Sequence, residues 1–117
     1  MPAPILLAEP YDDLRELLAA DLQRRGYVVE EAKDGDAVLV VAMREKPALI
    51  VLAWEIGPAG GRAVVRALQS EGFSDVPVVV LTNGKTELKA SAVEAVLFKP
   101  FEMEDLANLA RRYAGTT

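Results

Sequence analysis

Five short apolar runs, separated by segments with helical periodicity, constrain this chain more than any other feature. Ile5-Leu6-Leu7-Ala8, Tyr27-Val28-Val29-Glu30, residues 48–53, residues 77–82 and a short run within residues 93–98 read as strands. The fourth is almost continuously apolar, as a parallel strand covered on both faces should be. Strand and helix alternating five times, with no linker, repeat or low-complexity segment, predict one α/β domain over residues 1–117. Its parallel sheet should carry helices on both faces.

The intervening segments carry their own signals. Leu14, Leu17, Leu18 and Leu22 fall at helical spacing and predict one apolar face. Asp12 or Asp13 is the expected cap, and Asp13 with Glu16 suits a capping box. Gly26 ends that helix. Asp34-Gly35-Asp36 caps a second helix running to about Lys46, ahead of Pro47. There Val38-Leu39-Val40-Val41 is β-branched enough to suit a strand, but Met43-Arg44-Glu45-Lys46 continues the helical pattern. A third helix over residues 60–71 should bury Val64, Val65 and Leu68, with Gly72 as its stop. A last helix over residues 102–113 should turn Leu106, Leu109 and Ala110 inward.

In an open α/β sheet, chemistry gathers at the carboxyl ends of the strands. Here those positions hold Glu9, Ala53, Thr82 and Lys99. Ala53 offers a methyl group where a reactive carboxylate would be expected, so it neither attacks a phosphoryl donor nor binds a metal. The chain has no histidine and no cysteine, which excludes Ser-His-Asp, Cys-His and zinc-finger chemistry and any disulfide. A net charge of −5 opposes direct binding to nucleic acid or an anionic membrane. Arg24-Arg25 and Arg111-Arg112 read as cations at helix C-termini. No apolar run reaches the ~20 residues of a membrane helix, and no signal peptide is visible, so a cytoplasmic location is expected.

The strand-end residues carry a resemblance. Ile5-Leu6-Leu7-Ala8-Glu9, Leu14-Arg15-Glu16-Leu17-Leu18, Lys33-Asp34-Gly35, residues 76–82 and Lys99-Pro100-Phe101 together resemble the receiver domain of two-component response regulators over essentially the whole chain. The resemblance implies a flavodoxin-like three-layer sandwich with a parallel sheet of order 2-1-3-4-5. It also implies an aspartate after strand three that takes up a phosphoryl group. Further implied are an acidic pair after strand one that helps hold Mg²⁺, a Thr and a Lys that contact the phosphoryl oxygens, and an aromatic switch residue.

Mapped onto this sequence, only Thr82 and Lys99 match. The phosphoacceptor position is Ala53, the acidic pair is Glu9-Pro10, and the aromatic position is Val96. The helix between strands four and five should be short or irregular, because the stretch from Thr82 to Lys99 is about five residues shorter than the family usually allows. Glu9, a backbone carbonyl and waters would make a poor Mg²⁺ site, so no cofactor and at most weak Mg²⁺ binding are expected. Glu55 is a candidate second carboxylate. Lys99 is expected to pair with Glu9, and the Lys99-Pro100 peptide is expected to be cis by resemblance. Trp54 either covers the former pocket or packs in the core. Val38, Val40 and Ala37 broaden the apolar stripe of the second helix and could expose a partner surface.

These residues predict a non-enzymatic pseudo-receiver, acting independently of phosphorylation through a protein partner or a homodimer. Two alternatives remain open. One is a conventional receiver whose aspartate at position 53 was replaced by the present alanine, against which Pro10 and Val96 argue. The other is an α/β domain binding a small ligand or retaining enzymatic activity, although Asn83-Gly84-Lys85-Thr86 matches only the tail of a phosphate-binding loop.

Overall fold

The computed structural model describes residues 3–84 and 93–115. Among the described residues the elements run β1 (Ile5–Ala8), α1 (Asp12–Arg24), β2 (Val29–Ala32), α2 (Gly35–Glu45), β3 (Leu49–Ala53), α3 (Gly61–Ser70), β4 (Val78–Thr82), β5 (Ala95–Phe98) and α4 (Met103–Ala114). The strands form one parallel sheet in the order β2-β1-β3-β4-β5. This is the flavodoxin-like arrangement predicted. The short or irregular helix expected between β4 and β5 falls largely on residues 85–92, which lie outside the described residues.

Because successive side chains on a strand point to opposite faces, the central strands feed two cores. Leu6, Ala8, Ile50, Leu52, Val78 and Val80 pack with Val38, Val41, Val64, Val65 and Leu68 from α2 and α3. Ile5, Leu7, Leu49, Val51, Val79 and Leu81 pack with Leu18, Leu22, Leu106 and Ala110 from α1 and α4. The near-continuous apolar character of β3 and β4 follows from this burial on both faces.

Several local expectations hold and several shift. Val38-Leu39-Val40-Val41 is helical. Asp34 caps α2 by accepting the Ala37 N–H at 2.8 Å. Val64, Val65 and Leu68 are buried as expected, and so are Leu106 and Ala110, with Leu109 partly so. Strand β2 begins two residues later than the sequence suggested, because Tyr27 serves other partners. Its N–H bonds the Leu22 carbonyl to close α1, and its hydroxyl donates to the Gly115 carbonyl at 2.7 Å. Neither Asp12 nor Asp13 caps α1. The cap position is Tyr11, without a side-chain cap, and both aspartates lie in the first helical turn, where the dipole favours them. Leu17 is 54% exposed. The buried stripe of α1 is Leu18, Ala19 and Leu22, and Leu17 lies about 100° around the helix from Leu18.

Candidate functional site

The sheet register assembles the strand-end residues. Ala8 pairs with Leu52, so Glu9 and Ala53 follow side by side at the ends of β1 and β3. Ala53 pairs with Leu81, and Thr82 with Phe98, so Thr82 and Lys99 complete the row. The Lys99 N–H donates to the Thr82 carbonyl at 2.7 Å. The Lys99-Pro100 peptide is cis, as is Gly57-Pro58. The sheet thus brings these four positions together at its carboxyl edge, and period-2 alternation explains why Glu9, Ala53 and Lys99 share the face of the sheet that meets α1 and α4.

Glu9 is fully buried. Its Oε1 accepts the Lys99 ammonium at 2.6 Å, with the lysine side chain only 15% exposed. Its Oε2 accepts the Tyr11 backbone N–H at 3.1 Å. Pro10 forces the chain to turn out of β1, and that turn brings the Tyr11 amide back over the carboxylate. The Tyr11 ring also stands over the ammonium, 5.7 Å from Nζ to the ring centroid. The expected Glu9–Lys99 pair is therefore present, in a more enclosed form than the sequence implied.

Arg15 neutralises the neighbouring acids. Its guanidinium donates to the Glu9 carbonyl at 2.9 Å and pairs with Asp12 at 2.7 Å and Glu31 at 3.1 Å. Glu55 takes a different role from the metal ligand considered above. Its Oε1 accepts the Thr82 hydroxyl and the Asn83 N–H, both at 2.9 Å. Burial pushes the Glu55 carboxyl up. The hydrogen bonds from Asn83 and Thr82, with the positive field of Lys99, outweigh it and hold the group below the ordinary glutamate value.

Trp54 packs in the core beneath α2 and α3 and does not cover the strand-end pocket. The reason is alternation: Ile50, Leu52 and Trp54 point to one face, Ala53 to the other. Gly61 makes this possible, since a Cβ there would lie 2.5 Å from the Trp54 ring. Val96 is partly buried against the same core, and the neighbouring aromatic Phe98 is 56% exposed.

A divalent cation needs several oxygen ligands, with Mg²⁺ demanding near-octahedral geometry. The donors present do not fit one. Both Glu9 oxygens are engaged, position 10 is proline and position 53 a methyl. Asp12 and Glu31 belong to Arg15, and Glu55 is turned toward β4. No cluster of three or more metal-ligating side chains occurs among the described residues. Nor, among them, is any helix long and apolar enough to cross a membrane.

Comparison with known proteins agrees with this architecture. Residues 5–111 match the family described as the response regulator receiver domain. The chain is 34% identical over 111 residues to the response regulator MprA of Mycolicibacterium vanbaalenii, covering 91% of this chain and 48% of that protein. It is 29% identical over 108 residues to the phosphate regulon transcriptional regulatory protein PhoB of Pseudomonas aeruginosa, covering 87% and 47%. The chain thus spans about half the length of these relatives. In fold it is similar to the chemotaxis protein CheY4 of Vibrio cholerae, with a TM-score of 0.86, 24% identity and coverage of 97% of this chain and 99% of that one.

Proposed function

This chain belongs to the response regulator receiver-domain family of two-component signalling, and we propose that it serves there as a pseudo-receiver. Its signalling output is independent of phosphorylation and of Mg²⁺, and it acts by protein–protein contact. The single observation that carries this reading is the buried Glu9–Lys99 pair beside the Ala53 methyl. Phosphoryl transfer to a side chain needs a nucleophile at the strand end. Ala53 supplies none, and the ammonium that could have met a transferred group is consumed by Glu9 at 2.6 Å.

One further feature supports a contact role. On α2, Val40 and Met43 are 61% and 57% exposed and lie three residues apart on one helix face. The partner is a protein or a second copy of the chain; the net charge of −5 disfavours direct contact with nucleic acid. One relative, PhoB, is named a transcriptional regulator. By analogy this receiver part would pass its signal to another protein region and would not read DNA itself.

Incubation with acetyl phosphate and Mg²⁺, followed by intact mass measurement, tests the reading. The expected mass is that of the unmodified chain. A gain of one phosphoryl group, lost on mild base treatment, would overturn it.

A further inference from the structure

Helix α2 spends its apolar residues on two sides. Its core side is Val38, Val41 and Ala42. Val40 and Met43 instead face solvent, 61% and 57% exposed. An exposed β-branched residue in a helix interior lowers helix propensity, and a straight-chain polar residue would suit both helix and water better. At 100° per residue, Asp36, Leu39, Val40 and Met43 fall within about 100° of arc and form one face. Leu39 is half-buried at its edge. Beside it runs a cleft toward α3, lined also by Gly35, Gly57, Ala63 and Ala67. The two ends of this face carry opposite charge. Asp36 lies in the first turn and Lys46 at the C-cap. Neither has an ion-pair partner among the described residues. Lys46 is also, among the described residues, the only non-glycine with a left-handed backbone, at φ 48°. Glycine is favoured at such a helix end, so a long cation is held at a position that opposes it.

We propose that this face of α2 pairs antiparallel with α2 of a second copy of the chain, across a two-fold axis near the middle of the helix. The rotation sets Asp36 opposite the partner's Lys46 and Leu39 opposite the partner's Met43, with Val40 beside the axis. Opposite charges then meet at both ends and apolar side chains meet between them, as an isologous contact requires. A parallel pairing would set Asp36 against the partner's Asp36, so the charge pattern selects the antiparallel one. The inference rests on the contact role proposed above and commits it to one partner. A three-turn helix from each copy buries an area at the low end of specific interfaces, so the dimer is weak and concentration-dependent.

Sedimentation equilibrium of the full chain, from about 10 μM to 1 mM, tests this over the range of weak interfaces. Wild type should show a reversible monomer–dimer equilibrium. Asp36→Lys and Lys46→Asp, made singly, should each raise the dissociation constant about tenfold, because the two-fold axis turns both end pairs into like-charge pairs. The two changes combined in one chain should restore the wild-type constant. Mixing the two single variants should give a heterodimer tighter than either homodimer. Circular dichroism checks that each variant is folded. Val40→Lys, at an exposed position, is the second variant should a charge change at a helix end impair folding, and it should abolish the dimer. Lys46→Gly, which relieves the left-handed backbone, should weaken the dimer without lowering the urea midpoint of dilute monomer. A wild-type chain monomeric up to 1 mM would overturn the proposal and leave the face to a different protein. So would a dimer that none of these changes moves, or single-variant losses that the double variant fails to recover. Acetyl phosphate takes no part here, so a phosphoryl adduct on the wild-type chain would sink the pseudo-receiver reading and leave the dimer standing.

Discussion

At the scale of single residues, the strand ends are governed by how each charge is answered. Glu9 is fully buried and would be intolerable without Lys99. Lys99→Ala should therefore destabilise the chain by about 3–5 kcal/mol in urea unfolding, because it strands a buried carboxylate. The double change Glu9→Leu with Lys99→Met should recover most of that loss, since a buried pair is worth little more than apolar side chains of similar volume. Equal losses in the single and double variants would show that the pair is not the cause. Glu55 leads to a pH prediction. Its folded pKa lies below the unfolded value, held there by donors that favour the charged form. Its contribution is present above the ordinary glutamate value of about 4.3 and is lost as pH falls through the depressed folded value. Stability measured from pH 7 down to pH 3 should thus fall less steeply in Glu55→Gln than in wild type.

Among these residues, Glu9, Ala53, Thr82 and Lys99 were legible in the sequence because each follows a recognisable strand. The Glu9–Lys99 pair was legible because a buried ammonium demands an anion. The partner of Glu55 was not. Position 55 lies past the strand, where no periodicity applies, and whether its side chain turns toward Glu9 or Thr82 depends on how the turn after Ala53 is anchored. Trp54 was legible in principle, since alternation along residues 50, 52 and 54 already places it opposite Ala53.

At the scale of elements, the helices are oriented by a few close contacts. The first turn of α3 lies directly on Trp54, and the Gly61 N–H donates to the Trp54 carbonyl at 2.8 Å. Gly61→Ala would place a methyl 2.5 Å from the indole ring and 3.0 Å from the Trp54 Cα. It should cost about 1–3 kcal/mol by overpacking and alter the emission of the only tryptophan in the chain. An unchanged urea midpoint and spectrum would show that α3 can move aside freely. The boundaries the sequence missed have the same origin. Tyr27 reads as a strand residue by propensity, but its hydroxyl reaches Gly115 at the far end of the chain. Asp12 reads as a cap, but its carboxylate belongs to Arg15.

At the scale of the whole molecule, the acidic corner is neutralised from within. Lys99 answers Glu9, and Arg15 answers Asp12 and Glu31. A ligand that binds only the folded state raises its stability in proportion to binding. Adding Mg²⁺ at constant ionic strength should therefore leave the thermal midpoint unchanged; a concentration-dependent rise would reveal a divalent site.

The division between what could be read and what had to be seen follows from the range of the forces involved. The alternation of apolar runs and amphipathic segments is local, repeats along the chain and admits few topologies. It determined the α/β class, the parallel sheet and the row of residues at its carboxyl edge, with Ala53 among them. The identity of that residue excluded a nucleophile there without further information. Which side chain answers which charge is not local. Glu9 and Lys99 are 90 positions apart, and Glu55 and Thr82 are 27. Their pairing depends on strand register and on loops whose course is set by buried anchors such as Trp54 and Ile56. Only the tertiary structure decided that the two carboxylates diverge, Glu9 to the lysine and Glu55 to the end of β4.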